Sequence, residues 1–372
     1  MQGRQDAPDG PRGTSHPARG GWAAASIRVV LVAAAFILAG LMPACEHAAG
    51  ALEPAAVRYI GQTGTSPGQL LYPRAIDADG RYLWIIDKTA RIQRMDPATG
   101  LVDLWWTTPV SVLGKPTGIT VLADAVLDGE VVATPDRPLV MVVDTHYHRV
   151  LLYRPPDAHG PDMRAPADAE MIARFGAFGD GPGQFVYPTD VAVLLGEDGR
   201  TIERFFVSEY GGNDRVQAFD DRFAFEFEFG EPGSVMLGDE GVVFERPQSL
   251  AIVGEELIVA DACNHRLGRF TLDGEHLGWI EGDASDAADG GDDEGFRYPY
   301  GLTAVPGGVL VTEFGGGRVR RVDLARGGSM ATWGGSGELV SPWAAAVVDD
   351  DLHVLDSRRD RIAVADVPGG GS

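Results

Sequence analysis

Cysteine and lysine are the residues that this chain most lacks. Among 372 residues only Cys45 and Cys263 are cysteines, so no disulfide framework remains if Cys45 is removed or modified with the N-terminal segment. Lys88 and Lys115 are the only lysines, and the formal net charge is −23. An acidic, lysine-poor surface repels phosphate backbones, and we therefore expect no nucleic-acid partner.

Long hydrophobic runs are also scarce. The longest covers residues 29–42, which is short for a membrane span and typical of the h-region of a signal peptide. It leads into Leu41-Met42-Pro43-Ala44-Cys45, which resembles a bacterial lipoprotein signal with Cys45 as the lipidated residue. We predict a signal peptide over 1–45 and a linker over 46–55. The protein is then exported and held at the bacterial cell envelope by its lipid or by a signal anchor. Cleavage near Ala51, giving a secreted protein, is the alternative.

Helical periodicity is missing after this leader, and a register of short strand-like runs recurs six times instead. Each repeat has a proline, an apolar run, a second apolar run that ends in an acid, and then an arginine. The prolines are Pro73, Pro116, Pro188, Pro247, Pro299 and Pro342. The acids are Asp87, Asp144, Glu209, Asp261, Glu313 and Asp356, and the arginines are Arg91, Arg149, Arg215, Arg266, Arg318 and Arg361. Repeats of roughly 40–60 residues built of short strands are typical of a β-propeller. We predict an all-β, six-bladed propeller over 56–366, followed by a flexible tail over 367–372.

Each repeat contains four strand-like runs, which we label A to D in chain order and expect to pair as an antiparallel blade. The sixth repeat ends after its strand C, whereas residues 56–60 provide a matching strand D before the first repeat. We therefore predict that the N-terminal strand completes the last blade. Such closure removes two open sheet edges.

Three segments carry a resemblance to the NHL-repeat family. They are Gly181-Pro182-Gly183-Gln184-Phe185, Val259-Ala260-Asp261 and Asn264-His265-Arg266. The resemblance implies the six-bladed fold, but the family includes enzymes, binders and scaffolds, so it implies little about activity.

The residues that follow the prolines vary from blade to blade and are expected at the mouth of the central channel. They are Arg74, Thr117, Thr189, Gln248, Tyr300 and Trp343, with Asp190 and Ser249 beside them. A mixed polar and aromatic mouth suits a small ligand. We predict ligand-binding roles for Arg74, Asp190, Gln248, Tyr300 and Trp343, with a small polar or cationic ligand.

Metal binding is considered at three places. The six strand-B acids form a predicted ring that could hold a cation, as in calcium-dependent lactonase propellers, but the arginine after each acid favours ion pairs. The candidate ligands are therefore His146, which departs from the repeat, and the acidic residues Asp283, Asp286 and Asp289 between blades 4 and 5. Oxygen ligands of this kind suit Ca²⁺, which is the cofactor to be tested.

Three insertions enlarge blades 2 and 3, at 123–138, 155–171 and 196–204. Proline, aspartate and alanine dominate them, and we expect surface loops on the face opposite the mouth.

No complete catalytic constellation is present, and we assign no catalytic residue. We expect a non-enzymatic scaffold that binds a protein or a small molecule. The alternative is a metal-dependent hydrolase or lyase, lactonase-like or amidating-lyase-like, that uses the same channel.

Overall fold

The computed structural model describes residues 57–109, 112, 115–160, 162–281 and 295–369. They form six four-stranded antiparallel sheets, arranged as the blades of a propeller. The predicted fold class is therefore confirmed. Among the described residues, no helix combines the length and apolar character needed to cross a membrane.

The strands of the first three blades follow the predicted order A to D. Strand β1 (Arg58–Ile60) precedes them. Blade 1 consists of β2 (Pro73–Ala78), β3 (Leu83–Asp87), β4 (Arg91–Met95) and β5 (Val102–Thr107). Blade 2 consists of β6 (Gly118–Leu122), β9 (Leu139–Asp144), β10 (Arg149–Arg154) and β11 (Glu170–Phe175), with the hairpin β7 (Ala125–Leu127) and β8 (Glu130–Ala133) between its first two strands. Blade 3 consists of β12 (Tyr187–Leu195), β13 (Ile202–Tyr210), β14 (Arg215–Asp220) and β15 (Phe225–Phe229).

The remaining blades repeat this order. A two-stranded parallel ribbon, β16 (Glu231–Pro232) and β17 (Val243–Phe244), lies between blades 3 and 4. Blade 4 consists of β18 (Pro247–Val253), β19 (Glu256–Asp261), β20 (Arg266–Thr271) and β21 (His276–Ile280). Blade 5 consists of β22 (Pro299–Val305), β23 (Gly308–Glu313), β24 (Arg318–Asp323) and β25 (Gly328–Gly334). Blade 6 consists of β26 (Pro342–Val348), β27 (Asp351–Asp356), β28 (Arg361–Asp366) and β1.

The ring is closed by β1, as predicted. It pairs with β28 in antiparallel register, with Tyr59 opposite Ala363 and Ile60 opposite Ile362. Ile60 is buried in an apolar cluster that also contains Leu70 of the following loop. Main-chain hydrogen bonds and apolar packing therefore join β1 to the last blade, and strand C of blade 6 is not left as an open edge.

The apolar core lies between the blades. Six clusters of buried residues occur in the described part of the chain, and each spans one pair of adjacent blades, including blades 6 and 1. Between blades 1 and 2, for example, the Trp84, Trp106 and Tyr153 rings meet edge to face, with centroids 5.6–5.9 Å apart. Burial between neighbouring blades therefore holds the ring together.

The expectation of plain surface loops is wrong for one of the three insertions and holds only in part for a second. Residues 123–138 include the β7–β8 hairpin, whose Ala125, Leu127, Val132 and Ala133 are buried in the core between blades 2 and 3. In residues 196–204, only 202–204 belong to a strand, β13, and the buried Ile202 packs in the same core, whereas 196–201 form the turn between β12 and β13. Although polar residues dominate these segments, their few apolar residues alternate along the chain and fill the space between two blades.

Candidate functional site

The strand-B acids and the strand-C arginines form ion pairs in all six blades, as predicted. Oxygen-to-nitrogen distances range from 2.5 Å for Asp87 and Arg91 to 3.1 Å for Glu313 and Arg318 and for Asp356 and Arg361. All six acids are fully buried. In five blades the same carboxylate also accepts a backbone N–H from the D–A loop, as Glu209 does from Val186 at 2.6 Å. These acids thus hold the turn between strands B and C and the D–A loop in place. This structural role explains why they recur in every blade without a metal.

Burial raises the pKa of three of these acids, Asp144, Glu209 and Asp261. It raises the pKa of Asp261 to about 6, although Asn264 and Arg266 bind its carboxylate and lower the pKa in part. Desolvation disfavours the charged form, and each arginine compensates for part of that cost.

The five predicted ligand-binding residues do come together at one cavity. Arg74, Asp190, Gln248, Tyr300 and Trp343 come from strand A of blades 1, 3, 4, 5 and 6 and line a central cavity of about 310 Å³. Their burial differs, because Trp343 and Gln248 are almost fully covered while Arg74 and Tyr300 are half-buried. Trp343 and Gln248 therefore form walls, and Arg74 and Tyr300 present the accessible surface.

Around this cavity, strand A of one blade lies close to strand A of the next blade. Glycine residues make this close approach possible. A Cβ at Gly118 would lie 2.6 Å from the carbonyl oxygen of Thr189, and one at Gly301 would lie 2.9 Å from that of Trp343. Any larger residue would force adjacent blades apart and widen the channel.

Aromatic rings surround the mouth. Trp343 meets Tyr300 at 5.0 Å and Tyr72 at 5.8 Å between centroids, both edge to face, and Tyr300 stacks on Phe314 at 4.8 Å. Tyr210 contributes a further ring from the end of β13. Tyr72 directly precedes Pro73 with φ of 50°, a left-handed conformation that is uncommon for a residue with a bulky side chain.

Two arginines lie over these rings. The Arg74 guanidinium is 5.5 Å from the Tyr72 centroid and 5.3 Å from that of Trp343. The Arg246 guanidinium is 4.8 Å from the Tyr210 centroid and 5.3 Å from that of Tyr300. Burial lowers the pKa of Arg74, and the like charge of Arg246 lowers it further.

Sequence reasoning missed Arg246, Tyr72 and Tyr210. Arg246 directly precedes Pro247, two positions before Gln248 of the variable set, and has φ of 63°. Its backbone N–H is held by Asp214 of blade 3 at 2.6 Å, and its Nε donates to Gln248 at 3.0 Å. The signal available in the sequence was that residues before the prolines also vary between blades.

Asp190 lines the cavity, but its carboxylate is already engaged. It accepts hydrogen bonds from Ser249 Oγ at 2.7 Å, from the Leu250 N–H at 3.0 Å and from the Val191 N–H at 2.9 Å. Two of these donors belong to blade 4, so Asp190 links blades 3 and 4. We interpret it as a positioning residue of the channel rather than a ligand-contacting one.

Asp77 makes a similar link from blade 1. It accepts the N–H of Val121 in blade 2 at 2.7 Å and that of Ala78 at 2.8 Å. Desolvation raises the pKa of Asp77 to about 7 and that of Asp190 to about 6, and the charge of Asp190 adds to the shift of Asp77.

The histidines of the repeat are structural. His148 and His265 occupy the left-handed position before strand C, with φ of 57° in both cases. Each reaches the next blade through Nδ1, His148 to the carbonyl oxygen of Val186 and His265 to the N–H of Tyr298 at 3.2 Å. His353 is 1% exposed, as its packed position in the sequence predicted.

His146, a predicted metal candidate, lies near the mouth. Its ring is 5.6 Å from that of Tyr187, its Nδ1 is buried without a hydrogen-bond partner, and burial lowers its pKa. Asp283, Asp286 and Asp289 lie outside the described residues, as does Cys45. Within the described ranges, no group of three or more histidine, cysteine, aspartate or glutamate residues is placed to hold a metal ion.

Comparison with known proteins identifies the fold only. No protein-family model matches the chain, and no curated protein matches it. Solved structures that match include virginiamycin B lyase from Staphylococcus aureus, with 14% identity over 84% of this chain and 99% of that chain and a TM-score of 0.50. Raptor from Chaetomium thermophilum matches with 10% identity over 84% of this chain and 29% of that chain, with a TM-score of 0.52. At such identities the likeness supports the propeller fold and carries no activity with it.

Proposed function

We propose that this protein is an exported NHL-type propeller that binds a small molecule or a protein segment through the mouth of its central channel. It is held at the bacterial envelope through lipidated Cys45, or through the apolar segment 29–42. The observation that supports binding is the convergence of Arg74, Tyr300 and Trp343, from three different blades, on one cavity. These positions are free of the structural demand that sets the repeated proline, acid and arginine.

The composition of the mouth supports recognition. Aromatic and arginine side chains contribute disproportionately to binding energy, and here Arg74 lies against both Tyr72 and Trp343. The mouth therefore offers a flat apolar wall and hydrogen-bond donors in one place, which is the composition of a small-ligand pocket.

The experiment is a thermal-shift screen of the purified full-length protein against metabolites that include acids, amines and neutral sugars. Ligands that bind the native state raise its melting temperature. We expect hits whose shift disappears in the Arg74→Ala/Trp343→Ala double variant and persists in Arg326→Ala, which alters an exposed arginine of blade 5.

A separate variant tests whether ligands bind at the face opposite the mouth. Deleting residues 123–138 would remove buried core residues, so its effect would report on folding. Asp128→Ala/Arg222→Ala instead removes a surface ion pair with a 2.9 Å contact between blades 2 and 3. Loss of hits in this variant alone would place binding on the opposite face and contradict the proposal.

The metal-dependent hydrolase or lyase is the second candidate, and it uses the same channel. Elemental analysis for calcium and zinc after dialysis, followed by a panel of lactones and esters, tests it directly. Stoichiometric metal together with turnover that is lost in His146→Ala would favour the enzyme.

A further inference from the structure

We infer that the mouth is an oxyanion site, which takes a carboxylate, phosphate or sulfate group carried on a flat apolar body. The inference rests on the proposed function and specifies its ligand class. It replaces the expectation of a cationic ligand, because the arginines at the mouth retain donors, whereas the carboxylates of Asp77 and Asp190, which line the same cavity, accept hydrogen bonds from neighbouring blades.

The first argument is the state of the two mouth arginines. In every blade the strand-C arginine pairs with a buried carboxylate. Within the described residues, by contrast, neither Arg74 nor Arg246 forms an ion pair, and the Arg74 Nε is buried without a hydrogen-bond partner. Arg246 donates one side-chain hydrogen bond, to the neutral Gln248. Two guanidinium groups therefore retain donors for a ligand.

The second argument is the distribution of positive charge. The two lysines of the chain are both near this mouth: Lys88 Nζ lies 5.9 Å from the Tyr72 centroid, and Lys115 interacts electrostatically with His146. His146 in turn interacts with Arg74. On a chain with a net charge of −23, this clustering of cations makes the mouth a local attractor for anions.

The third argument concerns desolvation. Arg74 is half-buried beside another cation, and a guanidinium stays charged under ordinary conditions. An oxyanion between Arg74 and Arg246 would neutralise both and accept bidentate hydrogen bonds, which are the strongest contacts that arginine makes. A cationic ligand would add to the repulsion.

The fourth argument sets the shape of the ligand. Trp343 and Tyr300 wall the cavity, and within the described part of the chain the hydroxyl groups of Tyr72, Tyr210 and Tyr300 have no hydrogen-bond partner. A flat apolar body can lie against these rings while the hydroxyl groups donate to its charged end.

The test uses isothermal titration calorimetry on the full-length protein with phenyl phosphate, benzoate, phenol and benzylamine as probes. Phenol and benzylamine keep the ring and replace the anionic group with a neutral or a cationic one. We expect binding of the two anions that weakens with added salt, and at least tenfold weaker binding in Arg74→Gln and in Arg246→Gln. Arg326→Gln is the matched control and should bind like the wild type.

A footprint locates the bound probe. The Cys263 thiol interacts electrostatically with Arg246 and with Tyr300, so maleimide labelling at Cys263, read by peptide mass, should slow when phenyl phosphate is bound. Melting temperatures of each variant establish that it is folded.

Three results would overturn the inference. One is equal affinity for phenol or benzylamine, in which case the mouth binds ligands but does not select anions. Another is unchanged anion binding in both glutamine variants. The third is no anion binding up to about 10 mM, the range of very weak affinity. The proposed function fails separately, through a thermal-shift screen that gives no hits or through hits that are lost only in Asp128→Ala/Arg222→Ala.

Discussion

Ser249 in blade 4 donates its hydroxyl hydrogen to Asp190 in blade 3, with 2.7 Å between the two oxygens. The same hydroxyl oxygen accepts the N–H of Leu302 in blade 5 at 3.1 Å. Three blades are therefore joined by one short chain of hydrogen bonds at the channel. Asp190, which the sequence suggested as a ligand-binding residue, thus sets the geometry of the channel.

Asp190→Ala should destabilise the propeller. It leaves Ser249 Oγ and the Leu250 N–H without their acceptor, and a buried donor without a partner costs about 1–3 kcal/mol. The free energy of unfolding in urea measures the loss, with the exposed Asp350→Ala as the matched control. An Asp190→Ala protein as stable as the control would contradict a linking role.

Stability should fall as pH rises from about 4 to about 7 because of Asp77. Its pKa is raised to about 7 in the folded protein, whereas an unfolded aspartate titrates near 4. Between these values the folded state binds more protons, so the contribution of Asp77 is fully present below the unfolded pKa and is lost as pH passes the folded pKa.

The urea midpoint measured across this pH range tests the effect of Asp77. Asp77→Asn removes the titration and should flatten the slope relative to the wild type, even if it lowers stability overall. An unchanged slope would show that Asp77 does not titrate in this range.

The register of proline, acid and arginine predicted the ring, its closure and the ion pairs because each blade repeats the same local demands. The position after the proline also located Gln248 and Trp343 correctly at the channel. Arg246 was missed because a left-handed backbone and Asp214 of another blade place it at the mouth, and the variation of residue type before the prolines does not indicate either contact. The β7–β8 hairpin was not predicted from the sequence because only a few apolar residues, among them Leu127 and Val132, form its buried contacts.

Ile60→Ala should weaken ring closure. Ile60 is buried between blades 6 and 1, and truncation of a buried isoleucine costs about 2–5 kcal/mol. The control is Arg326→Ala in blade 5, whose side chain is exposed and whose ion pair with Asp323 contributes about 0–1 kcal/mol. Melting temperatures compare the two, and deletion of residues 52–61 should have a larger effect than either. Equal melting temperatures for Ile60→Ala and the wild type would argue against closure by this strand.

Glu313→Gln should be among the most destabilising single changes in blade 5. Glu313 is fully buried and contacts both Arg318 at 3.1 Å and Arg320 at 2.6 Å, and Arg320 is 1% exposed. Removing the carboxylate charge leaves two arginines in the interior, and breaking a buried pair costs about 3–5 kcal/mol. Chemical denaturation measures the loss. Glu255→Gln, an exposed change in the turn between the first two strands of blade 4, is the comparison and should have little effect.

Cys45→Ala should release the protein from the membrane fraction of a bacterial host if Cys45 carries the lipid. The chain has one other cysteine, so Cys263→Ala is a matched control that should remain membrane-bound and still incorporate a labelled fatty acid. A single acyl chain binds membranes only marginally, so stable partitioning requires more than one chain or a second anchor. If Cys45→Ala partitions and labels like the wild type, the lipoprotein proposal is wrong. A soluble wild-type protein beginning near Ala51 would instead indicate ordinary secretion.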